Sequence, residues 1–111
     1  MFFRRDEERQ SVGIRIENTA TGAGPVIICD YCGERITDAR DGNYEWADVT
    51  GAPGQRMAVY FLHKRCSAAH EALHGIVLDS MELTVLLPYL AHNLHLDWDE
   101  ATHHAETLSA L

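Results

Sequence analysis

The rhythm of hydrophobic and polar positions changes after His63. Before it, apolar residues come in short alternating runs separated by turn formers. Val12-Gly13-Ile14-Arg15-Ile16-Glu17 alternates as a half-buried strand does, Asn18 to Gly24 supplies turn residues, and Val26-Ile27-Ile28 is a second short run. These two segments are expected to pair as an N-terminal hairpin. Asn43 to Val49 and Met57 to Leu62 read as two further strands around a turn-rich loop, Thr50 to Gln55, and predict a second hairpin. Beyond His63 the period becomes helical. Cys66, Ala69 and Leu73 share a face, and Gly75 is placed to end that helix. Ser80 is a candidate N-cap for a helix carrying Leu83, Leu86, Leu87, Leu90 and Leu94 as a stripe. Pro88 lies within that stripe and should kink the helix or open a new one, because it has no amide to donate. Asp97 and Glu100 match a capping box, and Trp98, Ala101, Ala105 and Leu108 then share one face.

This order predicts an α+β fold with an N-terminal β-hairpin and a C-terminal helical pair. Residues 1–10 read as a flexible charged tail, 11–78 as the α+β domain, and 79–111 as a helical extension packed on it. A chain of 111 residues fits one domain, and 46% hydrophobic with 23% charged residues is ordinary for a folded protein. The longest apolar stretch, Met81 to Leu96, is interrupted by Glu82, Pro88, His92, Asn93 and His95. It falls short of the roughly 20 apolar residues a membrane span needs. Met1-Phe2-Phe3-Arg4-Arg5-Asp6-Glu7-Glu8 has no apolar core of the kind secretory leaders carry, so a cytoplasmic location is expected.

The chemistry concentrates in four residues. Cys29-Asp30-Tyr31-Cys32-Gly33 is a C-x₂-C followed by a glycine that tolerates positive φ. His63-Lys64-Arg65-Cys66 is an H-x₂-C at a predicted helix start, where residues i and i+3 share a face. Cys29, Cys32, His63 and Cys66 together make a Cys₃His set, which suits one structural Zn²⁺ and excludes Mg²⁺ and Ca²⁺. All three cysteines of the chain are used, and an odd number argues against a complete disulfide framework. On these residues the chain resembles a treble-clef zinc finger, the group that includes LIM-type modules, over roughly residues 26–75. The resemblance implies a knuckle giving the first ligand pair, a β-hairpin, and a helix whose first turn gives the second pair. It departs from LIM modules in the thirty residues between Cys32 and His63 and in having a single module. Treble-clef modules serve as adaptors, nucleic-acid readers and enzyme parts, so the resemblance implies a fold and a metal rather than a task.

Competing readings of the same residue types are weaker. His70 and His74 follow Cys66 at i+4 and i+8 and are alternatives to His63, although hydrogen-bonded helix histidines are the plainer expectation. His92, His95, His103 and His104 are expected as exposed helix or turn residues without a role. His104-Ala105-Glu106 has the H-x-E of zinc deaminases, but their cysteine pair lies downstream and here it lies upstream. Tyr44, Trp46, Tyr60 and Phe61 offer a base-stacking surface or, more commonly on a small hairpin, core beneath the helix. Arg35, Arg56, Lys64 and Arg65 are expected to offset the thiolate charge.

A net charge of −8 repels a phosphate backbone, and the nine basic residues are scattered, so nucleic-acid binding is disfavoured. No G-x-S-x-G, P-loop or G-x-G-x-x-G occurs, and four protein ligands leave a metal no open position, so catalysis is not expected. The leading expectation is a protein-interaction or adaptor module that meets a protein partner, or a second copy, through its C-terminal leucines. A small transcription-associated regulator that binds nucleic acid is the alternative.

Overall fold

The computed structural model describes residues 13–47 and 53–109. The expected N-terminal tail, Val12, the last two residues of the expected Asn43 to Val49 strand (Asp48 and Val49) and part of the 50–55 loop lie outside these residues. Among the described residues, two small antiparallel sheets are mixed with three helices.

The first sheet has the order β1-β2-β3, from β1 (Gly13–Thr19), β2 (Gly22–Ile28) and β3 (Arg35–Ile36). The N-terminal hairpin is longer and tighter than the turn residues suggest. β1 and β2 pair along their whole length and leave only Ala20 and Thr21 to turn the chain, with Gly22 at φ +121°. β3 is too short to signal itself in the sequence and pairs with Ile27 and Ile28.

The second sheet has the order β5-β4-β6, from β4 (Gly42–Ala47), β5 (Tyr60–His63) and β6 (Leu78–Glu82). β4 and β5 form the expected antiparallel pair, with Gly42 opposite His63 and Glu45 opposite Tyr60. β6 overturns an expectation: Ser80 does not cap a helix but pairs with Glu45 on β4, in a strand that runs across the 78/79 boundary. Leu78 is buried, which fixes the strand's register on β4.

Helix α1 (Ser67–His74) follows a 3₁₀ turn over Lys64–Cys66 and ends on Gly75 in the left-handed region at φ +67°. Helix α2 (Leu86–Asn93) follows a second 3₁₀ turn, and Pro88 sits in its first turn, where a missing N–H costs nothing. Helix α3 (Trp98–Ser109) begins at Asp97, whose Oδ1 accepts from the Glu100 N–H at 3.0 Å. No described helix is long and apolar enough to cross a membrane.

The core lies between the two sheets and the start of α1. Cys29, Ile36, Phe61, Leu62, Cys66 and Leu83 form its buried cluster, with Ile27, Tyr44, Tyr60 and Leu86 against it. Gly42 is tightly enclosed, since a Cβ there would lie 2.6 Å from Leu83 Cδ1.

Candidate metal centre

The turn after β2 is built to bring two cysteines together. The Gly33 N–H donates to the Cys29 carbonyl at 3.0 Å, and Gly33 takes φ +78°, as its missing Cβ allows. The Cys29 N–H donates to the Glu34 carbonyl at 2.9 Å and closes the loop. Asp30 then ties this knuckle to β5 twice. Its N–H donates to the Phe61 carbonyl at 2.7 Å, and its Oδ2 accepts from the Phe61 N–H at 2.7 Å. Because His63 ends β5 and Cys66 ends the turn entering α1, that anchor fixes the second ligand pair against the first.

All four expected residues converge. One donor atom from each of Cys29, Cys32, His63 and Cys66 lies within 4.8 Å of the others. His63 Nδ1 lies 3.4 Å from Cys32 Sγ. Cys29, His63 and Cys66 are buried and Cys32 is exposed, so the centre sits at the edge of the core. A tetrahedral ion with ordinary Zn–S and Zn–N lengths spaces its ligands by about 3.4–3.8 Å, so the donors need only a small contraction to close on one.

The electrostatics point the same way. Burial pushes the Cys29 thiol up, but the N–H groups of Cys32, His63 and Tyr31 outweigh it and bring the pKa down to about 7. The N–H groups of Tyr31 and His63 each reach Cys29 Sγ at 3.4 Å. Burial and the neighbouring Cys29 push the Cys66 thiol up to about 11. Cys29 thus takes a negative charge readily and Cys66 resists one beside it, a conflict that a bound cation would remove. Of the basic residues expected to offset the thiolates, Arg35 meets Glu17 at 3.0 Å and Lys64 pairs with Glu82 on β6. Arg56 and Arg65 are exposed.

The other histidines stay outside the centre. His70 is 2% exposed, with its ring 5.0 Å from that of Tyr60. Its Nδ1 has no hydrogen-bond partner, contrary to the expectation of a bonded helix histidine. One signal went unused in the sequence: His70-Glu71-Ala72-Leu73-His74 spells H-E-x-x-H, the spacing by which a helix presents two histidines to one ion. The fold does not assemble it. Glu71 Oε2 accepts from the Leu78 N–H at 2.8 Å, and among the described residues the Cys₃His set is the sole group of three or more ligating side chains in reach of one ion. His92, His95, His103 and His104 are exposed, as expected.

One buried feature had no sequence signature. Glu45 is fully buried, and its Oε2 accepts from Ser67 Oγ at 2.7 Å, which ties β4 to the first turn of α1. The aromatic residues meet the expectation of core under the helix in part. Phe61 is core and Tyr44 and Tyr60 pack against it, while Tyr44 also stacks on Trp46 at 5.6 Å, and those two line an open cleft with Met57, Val59 and Asn93.

No protein-family model, curated protein or solved structure matches the chain.

Proposed function

We propose that this chain is a small zinc-binding protein-interaction module. One structural Zn²⁺ held by Cys29, Cys32, His63 and Cys66 closes a treble-clef-like core, and the C-terminal helices meet a protein partner. The convergence of those four donors within 4.8 Å carries the reading. Three soft thiolates with one imidazole favour Zn²⁺ over hard cations, and four protein ligands leave no open position for chemistry. The order of knuckle, paired strands β4 and β5, and helix α1 supports the treble-clef comparison.

The interaction role rests on apolar surface left uncovered. Leu87, Leu90, Leu94, Trp98 and Leu108 are between 43 and 69% exposed, and α3 buries none of its residues. Leu96, Ala101, Ala105 and Leu108 line a groove flanked by Asp97 and Glu100. An apolar floor with an acidic rim suits a basic amphipathic protein segment and repels phosphate.

Elemental analysis of purified protein should find one zinc per chain, and a strong chelator at neutral pH should collapse its circular dichroism and melting transition. An unchanged spectrum in verified metal-free protein would refute the structural role. Leu94→Glu with Leu108→Glu should release a bound partner while keeping the zinc; retention of the partner would refute the docking face.

A further inference from the structure

The candidate metal centre meets solvent unevenly. Cys29, His63 and Cys66 are buried, whereas Cys32 is exposed. A reagent arriving from water therefore reaches one of the three thiol groups first, and oxidation of cysteine follows thiolate character and exposure. Cys32 lies in the knuckle, a short turn closed by the Gly33 N–H on the Cys29 carbonyl at 3.0 Å.

Cys29 is placed to act as the second sulfur. Its Sγ lies within 4.8 Å of that of Cys32, and only Asp30 and Tyr31 separate the two residues in the chain. The N–H groups of Tyr31 and His63 each reach Cys29 Sγ at 3.4 Å and favour its thiolate, the form that attacks. Cys66 is also within 4.8 Å, but it ends the 3₁₀ turn entering α1. Asp30 fixes the spacing between that segment and the knuckle by binding both main-chain groups of Phe61 on β5. A bond from Cys32 to Cys66 would pull two separately packed elements together, whereas a bond to Cys29 repacks a single turn.

We propose that Cys32 is a modification site for hydroperoxides, and that Cys29 turns the modification into a Cys29–Cys32 disulfide that releases the metal. This inference rests on the zinc reading above and names how that same centre is regulated. In the first step the Cys32 sulfur attacks one oxygen of the hydroperoxide. The S–O bond forms as the O–O bond breaks, and the departing oxygen takes a proton and leaves as water or an alcohol. The product is a sulfenic acid. The Cys29 thiolate then attacks the Cys32 sulfur, the S–S bond forms, and the S–O bond breaks. The hydroxide that leaves takes a proton and becomes water. The two sulfurs together lose two electrons, and one hydroperoxide gains them. Of the four donors, only His63 and Cys66 then remain. Two are too few for the closed tetrahedral set that structural zinc takes. Because Asp30 sits between the bridged cysteines, repacking the knuckle also loosens its hold on β5.

The test needs no substitution, since removing a donor would also remove the metal. The full chain loaded with zinc is treated with hydrogen peroxide beside a chromogenic zinc indicator. Zinc should appear in step with peroxide consumption until the chain is empty. Peptide mapping by mass spectrometry should then find Cys29 joined to Cys32, with Cys66 a free thiol. Dimedone, a carbon nucleophile that traps sulfenic acids, should mark Cys32 alone when present from the start. A thiol reductant with fresh Zn²⁺ should restore both the zinc content and the melting transition. Trapping at Cys29 or Cys66, a disulfide to Cys66 or between two chains, or a loss that the reductant does not reverse would each overturn the proposal. Zinc that is bound and stays bound through peroxide overturns this proposal alone. A chain that takes up no zinc before treatment overturns the metal reading and this inference with it.

Discussion

Cys66→Ser and His70→Ala truncate side chains one helical turn apart, and only the first should cost the protein its metal. Cys66 contributes one of four donors, and both it and Cys29 belong to the buried cluster. Structural zinc supplies apparent binding energy of ~10–16 kcal/mol in finger peptides, so an evenly shared ligand carries about 2.5–4 kcal/mol. Serine offers a hydroxyl that stays protonated at neutral pH, and most of that share is lost. Whole domains are stable by only ~5–15 kcal/mol, so the variant should be largely metal-free with a weakened or absent melting transition. His70 is 2% exposed, and its truncation leaves a cavity beside Tyr60 that should cost about 2 kcal/mol. The cost stays at the low end because Nδ1 has no hydrogen bond to lose. His70→Ala should therefore melt ~10 °C lower yet keep one zinc per chain. His74 is exposed, and its alanine variant should change stability by less than ~0.5 kcal/mol. Elemental analysis alongside thermal circular dichroism separates the three variants. Equal loss of zinc and stability in all of them, or Cys66→Ser with a full complement of zinc, would refute the ligand assignment.

Asp97→Ala should reduce the helicity of α3 and cost about 1 kcal/mol, because Asp97 Oδ1 caps the Glu100 N–H; far-UV circular dichroism and a melt check it. Acid should destabilise the protein. A cation lowers the proton affinity of each thiolate it holds, so the stabilisation is complete above the unfolded thiol value of about 8.5 and declines as pH falls. Zinc release and loss of sheet signal should therefore coincide in an acid titration, and an acid transition that leaves the zinc bound would contradict the linkage.

The convergence of Cys29, Cys32, His63 and Cys66 was legible because their spacing is local. C-x₂-C and H-x₂-C each specify a tight turn within a few residues, and the tertiary fold had only to bring the two turns together. The capping Asp97 and the terminating Gly75 were legible for the same reason: the signal and the structure it controls lie within one helical turn. β6 was not. Leu78 to Glu82 pairs with β4 across more than thirty residues of chain, and the run Leu83 to Leu94 behind it suggested a longer helix beginning at Ser80. Long-range strand pairing overrode a local cap motif. The same limit hid the partners of Arg35 and Lys64, which depend on strands brought alongside by the fold.

The sequence also presents ligands and core as two separate sets of residues, and the structure merges them. Cys29 and Cys66 are part of the same buried cluster as Ile36, Phe61, Leu62 and Leu83. Phe61 is bonded on both its N–H and its C=O to Asp30, inside the knuckle. His63, one residue beyond fully buried Leu62, is one of the four converging donors and also the last residue of β5. A cation that draws the four donors together therefore pulls the knuckle, the end of β5 and the start of α1 against the apolar cluster in one step. Stabilisation by metal and stabilisation by burial are then coupled rather than additive, as expected for groups in direct contact. A substitution such as Leu62→Ala should weaken metal retention as well as lower the melting temperature, although Leu62 offers no ligand atom. Chelator competition against that variant, compared with one at exposed Leu87, measures the coupling. Identical zinc affinities in the two would show that the centre and the core fold independently.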